Sequence, residues 1–198
     1  MSFVNPATQL PCTSFSDILF PCLKYKKTLN VRYGKEDENG YFKGISYYNV
    51  EKDIEDVLLN IVPEMYRDTF KVLLMIINRD EIPPHIDSNA LVVINLYLKT
   101  CGATKTTFYT EKKFDTEYTK IENQTDGYML DDKNLDEIYS FVAKEDEAWV
   151  LDVKKPHSVK CETKNEIRIA FTLLSFTQSY EDTLKIFNIH SETSQCPL

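Results

Sequence analysis

Two of the three histidines in this 198-residue chain stand beside residues that give them chemical work. In PPHIDSNALVVINLYL (83–98), His85 and Asp87 are separated by one residue, behind two prolines and ahead of an apolar run. In extended backbone, residues i and i+2 project to the same side, ~7 Å apart along the strand. An imidazole and a carboxylate aimed at one point make half of a metal clamp. The same pair also suits a plain hydrogen bond, to each other or to a loop. His157 sits in WVLDVKKPHSVK, where a strand-like run breaks at KKP and resumes after the histidine. Eleven residues further on, Arg168 lies in IRIAFTLLSF, the most apolar run of the C-terminal half. A guanidinium stays charged, and leaving one unpaired in a core costs several kcal/mol, so it calls for an anion. That anion is either one of the chain's 31 acids or the carboxylate of a ligand.

Positioning these groups requires strands. Period two puts Arg168, Ala170 and Thr172 on one face of their strand and Ile167, Ile169 and Phe171 on the other. In ALVVINLYL, Asn95 and Tyr97 share a face, opposite Val92, Ile94, Leu96 and Leu98. If the aliphatic face packs beneath a helix, Asn95 and Tyr97 look into the same interior as His85 and Asp87.

Five short apolar segments, bounded by turn material, predict strands: FKVLLMIINRD (70–80), ALVVINLYL (90–98), TKTTFYTE (104–111), AWVLDV (148–153) and EIRIAFTLLSF (166–176). Ahead of them, NVEKDIEDVLLNIVP places Val50, Ile54, Val57, Leu58 and Ile61 at helical spacing. Asn49 is its expected cap, acids fill its first turn and Pro63 closes it. NLDEIYSF (134–141) reads as a short helix and SYEDTLKIF (179–187) as a second covering helix. The first forty residues read as a leading segment with one strand, ending in the turn KEDENG. The polar segment from Thr110 to Asp146 is either a lid over a site or an ordinary solvated insertion. Together these elements predict a mainly β fold with flanking helices, a sandwich or jelly roll.

Length suits one domain over 1–198, with the barrel core at about 70–176. Apolar residues at 42% and aromatics at 12% are enough for a packed core. The net charge is −8, and the lysines form short runs among acids rather than a basic face, which disfavours duplex nucleic acid as a partner. Five cysteines, odd in number and without a CxxC pair, point to a reducing compartment and away from a structural zinc site. The N-terminus lacks a basic region followed by an apolar run, and nothing approaches ~18 consecutive apolar residues, so the sequence predicts a cytoplasmic protein without a membrane span.

Taken in order, His85-x-Asp87, His157 and Arg168 form a constellation that resembles the Fe(II)/2-oxoglutarate-dependent oxygenases. PPHIDSNALVVINLYLKTCGATKTTFY and WVLDVKKPHSVKCETKNEIRIAFTLL look like segments of the small prolyl-hydroxylase-type and aspartyl/asparaginyl-hydroxylase-type enzymes, including compact viral and phage forms. The resemblance covers residues 70–176. It implies a double-stranded β-helix (jelly roll, cupin-like) that holds Fe(II) through His85, Asp87 and His157. Two imidazoles and a carboxylate on one face of an octahedral ion leave three adjacent positions open. The resemblance further implies that 2-oxoglutarate chelates the iron through its C1 carboxylate and keto oxygen, that its C5 carboxylate pairs with Arg168, and that O2 is the co-reactant.

One departure stands out. Relatives commonly carry Ser or Thr two residues after the arginine, where this chain has Ala170. Thr172 or Tyr97 is expected to substitute, with Asn95 nearby and Thr107 or Tyr109 lining the pocket. The implied reaction is hydroxylation, preferably of a protein side chain or amino acid; a nucleobase is the alternative substrate within the superfamily. Two other classes stay open: a non-catalytic jelly-roll binding protein, and a cupin-like metalloenzyme without 2-oxoglutarate. The latter needs a fourth ligand or an acid beside the metal, and His190, in the tail, is the only spare histidine.

Overall fold

A computed structural model describes residues 5–10, 28–112, 119–120, 127–164 and 166–188. The barrel is laid down by eight strands divided between two sheets: β4 (Phe70–Asn78), β5 (Glu81–Asp87), β6 (Val92–Lys99), β7 (Lys105–Glu111), β10 (Leu135–Val142), β11 (Ala148–Leu151), β12 (His157–Lys160) and β13 (Arg168–Ser175). Around them lie β1 (Ala7–Leu10), β2 (Thr28–Glu36), β3 (Phe42–Asn49), β8 (Thr119–Lys120) and β9 (Gly127–Met129). The large sheet runs β1-β11-β6-β13-β4-β3-β2 and the small one β10-β7-β12-β5-β9-β8, with antiparallel pairing at the barrel strands. This order, with four barrel strands in each of two facing sheets and crossings at every step except from β7 to β10, is the jelly-roll, cupin-like architecture.

Two apolar layers follow from the period of two. The outer face of the large sheet presents Val72, Leu74, Ile94, Leu96, Phe171 and Leu173 to helices α1 (Lys52–Leu59) and α2 (Tyr180–Ile186), which contribute Leu58, Leu59 and Leu184. The inner face presents Met75, Ile77, Val93, Tyr97 and Ala170 towards the small sheet. Trp149 stacks on Phe141 across the sandwich, ring centroids 3.8 Å apart. Because the aliphatic residues of β6 and β13 are committed to the helices, Asn95, Tyr97, Arg168 and Thr172 are left facing the interior, as the sequence parity predicts.

The sequence expectations differ from the structure at several elements. Residues 134–141 are not a helix: Leu135–Val142 is strand β10, paired along β7. A bulge between Glu137 and Tyr139 breaks its period of two, so Leu135, Ile138 and Phe141 acquire a spacing that imitates a helix. Helix α1 starts at Lys52 with Glu51 at its N-cap and no side-chain cap bond, because Asn49 is spent as the last residue of β3. It ends at Leu59, and Pro63 instead opens a 3-10 turn over Glu64–Thr69. Among its described residues the leading segment carries two strands, β1 and β2, where the sequence pointed to one. The segment from Thr110 to Asp146 contributes β8, β9 and β10 to the small sheet, with 113–118 and 121–126 outside the described residues.

The chain ends are tied together by one phenol. Tyr180 of α2 is buried, donates to the Asn5 carbonyl (2.8 Å) and bonds Thr8 Oγ1 (2.7 Å) on β1. Tyr180→Phe strands both partners, and urea unfolding is expected to show a loss of about 1–2 kcal/mol. Among the described residues, no helix is long and apolar enough to cross a membrane.

Candidate metal centre

His85 and Asp87 lie on β5, which is flanked by β12 and β9. His157 opens β12 directly opposite His85, and Gly127 of β9 stands opposite Asp87. The two prolines have a role here. Proline gives no N–H to a ladder, so an inner strand carrying Pro83 and Pro84 must bulge. The β5–β12 register slips at that point, from His157 opposite His85 to Val159 opposite Ile82. The turn before His157 holds the other end: Asp87 N–H donates to the Val153 carbonyl (3.1 Å), and Lys154 Nζ donates to the carbonyls of Asp87 (3.0 Å) and Ser88 (2.7 Å).

Both imidazoles are oriented by the same device. His85 Nδ1 lies 2.9 Å from the Pro83 carbonyl and His157 Nδ1 3.0 Å from the Lys155 carbonyl. A carbonyl only accepts, so each Nδ1 carries a proton and each Nε2 is the nitrogen left for a metal, the arrangement of metal-binding histidines. The ring centroids are 4.2 Å apart, and Phe108 stacks on His157 at 5.7 Å. His85 Nε2 and Asp87 Oδ1 are 3.7 Å apart, a polar contact longer than a hydrogen bond. One ligand atom from each of His85, Asp87 and His157 falls within 4.8 Å of the other two. Two neutral nitrogens and one carboxylate at that spacing fit a divalent transition metal.

Burial, reinforced by the neighbouring His85, lowers the His157 pKa to about 3 from 6.5. It is therefore a neutral donor at physiological pH. The linkage has a sign: below pH 6.5 the unfolded chain takes up a proton at this residue that the folded chain refuses until about pH 3. The metal-free protein is expected to lose stability as pH falls through that window. His157→Gln should flatten that part of the profile in urea midpoints measured across pH.

The same cavity, about 400 Å³, is lined by these three residues and by Arg168, Asn95, Tyr97, Thr106 and Thr172. Arg168 is 1% exposed, its guanidinium lies 4.3 Å over the Tyr97 ring, and its Nε and Nη1 have no hydrogen-bond partner. Among the described residues it forms no ion pair, and no carboxylate among them holds it. Asn95 Oδ1 and Thr106 Oγ1 are likewise buried without a partner, while Asn95 Nδ2 donates to Tyr97 Oη at 3.3 Å. On β13, Ala170 stands opposite Tyr97 and Thr172 opposite Asn95. The position of the missing hydroxyl is thus faced by an aromatic ring that itself underlies Arg168.

Two expected lining residues are not in the cavity. Thr107 points away from it, and Tyr109 spends its hydroxyl on Ser158 Oγ at 2.8 Å. Thr106 replaces them, on the inward parity that the fully buried Phe108 sets for β7. The apolar wall from Val31, Tyr33, Ile45 and Tyr47 of β2 and β3 was also unanticipated, although the alternation in GISYY carries a signal for it. Gly127 and Met129 of β9 line the cavity too, so the polar insertion does reach the site. His190 lies outside the described residues.

No family model matches the chain, and no curated protein does. Among solved structures it is similar to an oxidoreductase of the 2OG-Fe(II) oxygenase family from Burkholderia pseudomallei, at 9% identity and a TM-score of 0.50, with 89% of this chain and 88% of that one covered. The epimerase SnoN, solved with Fe3+, alpha-ketoglutarate and nogalamycin RO, matches at 10% identity and a TM-score of 0.49 over 86% of this chain and 78% of its own. EvdO2 from Micromonospora carbonacea var. aurantiaca, complexed with 2-oxoglutarate, matches at 13% and 0.44 over 88% and 94%. At these identities the likeness is one of fold: the chain is a double-stranded β-helix, similar in fold to the 2OG-Fe(II) oxygenase-family oxidoreductase.

Proposed function

We propose that the protein is an Fe(II)- and 2-oxoglutarate-dependent dioxygenase that hydroxylates a protein side chain or an amino acid. The observation that carries this reading is Arg168: a fully buried cation with two unpartnered N–H groups, in the same cavity as a convergent His85, Asp87 and His157. A buried guanidinium without an anion is costly, and a carboxylate ligand in the cavity would remove that cost. When bound, iron and 2-oxoglutarate together with O2 supply the oxidation, giving succinate, carbon dioxide and a substrate C–H converted to C–OH.

The chain's own residues do the rest. His85 and His157 offer Nε2, held in place by their Nδ1 bonds, and Asp87 offers the anionic oxygen. Arg168, stacked on Tyr97, would take the distal carboxylate, and Asn95, Thr106 and Thr172 would offer additional polar contacts. Val31, Ile45, Tyr47 and Met75 shield this polar cluster from water. The cavity volume lies within the range of small-molecule sites, and the charge of −8 favours a peptidyl or amino-acid substrate over nucleic acid. A metalloenzyme working without 2-oxoglutarate is disfavoured because the cluster, among the described residues, has three members and leaves Arg168 unexplained.

Thr106→Val tests the secondary contacts. It replaces an unpartnered buried hydroxyl by a methyl, so the melting temperature should hold or rise. Loss of one neutral hydrogen bond, about 1 kcal/mol, should weaken 2-oxoglutarate roughly five- to tenfold by calorimetry. For the function itself, succinate is measured after the protein is given Fe(II), 2-oxoglutarate and air with a panel of amino acids and peptides. Succinate that requires both iron and 2-oxoglutarate is expected; none formed by iron-loaded protein would contradict the reading.

A further inference from the structure

Away from the metal centre, three turns meet at the end of the barrel where Arg168 sits. Cys101 follows β6 of the large sheet and Cys161 follows β12 of the small sheet. The β4–β5 turn joins them through Cys161 N–H, which donates to the Asp80 carbonyl at 2.7 Å. Gly102, with φ +53°, lets the β6–β7 turn fold tightly onto the other connection: a Cβ there would lie 3.0 Å from Thr163 Oγ1. The two sulfurs face each other at 3.0 Å, both are buried, and Thr104 Oγ1 lies 3.5 Å from Cys161 Sγ. That is inside the usual non-bonded separation of two sulfurs, and closing it to a bond of about 2.05 Å takes roughly one ångström of movement.

We propose that Cys101 and Cys161 are a redox-sensitive dithiol that a peroxide closes into a disulfide, stapling the two sheets together at the Arg168 end of the barrel. One sulfur attacks the peroxide, forming an S–O bond as the O–O bond breaks and one water leaves. The other sulfur then displaces the hydroxyl, forming S–S and releasing a second water; the thiols lose two electrons and the peroxide gains them. Cys161 reacts first, because it keeps a small exposure while Cys101 is completely enclosed. The loop so closed contains the six strands from β7 to β12, long enough to restrict the unfolded chain strongly.

The test uses the full chain, fully reduced and kept metal-free with a chelator so that iron does not consume the oxidant. After hydrogen peroxide treatment and alkylation of remaining thiols, peptide mass mapping should find Cys101 joined to Cys161, with the mass of two hydrogens lost. The melting temperature should rise by several degrees and return on adding dithiothreitol. Cys161→Ser should keep the melting temperature of the reduced protein and show no rise. A stable sulfenic or sulfinic acid without cross-link, a disulfide to Cys12, Cys22 or Cys196, or a Cys101–Cys161 bond that leaves the melting temperature unchanged would each overturn the proposal. Should the serine variant fail to fold, mapping and melting of the wild-type chain still decide it.

Discussion

Replacing His157 by alanine is expected to weaken iron binding by at least about 100-fold, since it removes one of three donors where even an outer partner is worth roughly 10–100-fold. The effect on iron should exceed that of any substitution at Arg168, Asn95, Tyr97, Thr106 or Thr172. His157 stands opposite His85 across the β5–β12 ladder, and two ligands from a single strand, one residue apart, make a weak clamp by themselves. His157→Gln serves as the control for shape: it fills the space under Phe108 yet lacks the imidazole Nε2, so it should bind iron as poorly as alanine while melting closer to the wild type. Equilibrium dialysis under nitrogen measures both. If His157→Gln retains wild-type iron affinity, His157 is not a ligand.

Arg168→Met separates the cosubstrate from the metal. The methionine keeps an apolar stem of similar reach and deletes a buried charge that has no carboxylate among the described residues. Removing an uncompensated ion from a core is neutral or stabilising, by about 1–4 kcal/mol in comparable replacements of buried ions. Against that stands the lost stacking on Tyr97, about 1–2 kcal/mol. The ligand-free variant should therefore melt no lower than the wild type. 2-Oxoglutarate should bind roughly 100- to 1000-fold more weakly, as expected when one partner of a buried charge pair, about 2–5 kcal/mol, is removed. Iron affinity should not change. A variant that loses stability without ligand would mean that Arg168 serves the fold instead.

Much of this was legible in the sequence because strands encode facing directly. Once β6 and β13 are strands, the aliphatic residues Ile94, Leu96, Phe171 and Leu173 have to meet the helices, and Asn95, Tyr97, Arg168 and Thr172 have to look inward. The same parity places His85 and Asp87 together. What parity does not survive is a bulge. At Glu137–Tyr139 an extra residue shifted the apolar pattern of β10 towards helical spacing, and the local signal then pointed to the wrong element. In β7 the sequence pointed to Thr107 and Tyr109 as lining, whereas the buried Phe108 sets the inward parity and brings Thr106 to the cavity instead. The Cys101–Cys161 contact was beyond reach for another reason: the residues are sixty apart, and only the packing of two turns brings their sulfurs together.

The most direct measurement of the central claim is an anaerobic titration in which Fe(II) and 2-oxoglutarate are added to the protein while the visible spectrum is recorded. A weak charge-transfer band that needs both additions, saturates at one equivalent of each, and is lost in His157→Gln and in Arg168→Met at limiting 2-oxoglutarate is the predicted result. A protein that binds iron but gives no band at any concentration of 2-oxoglutarate would contradict the account.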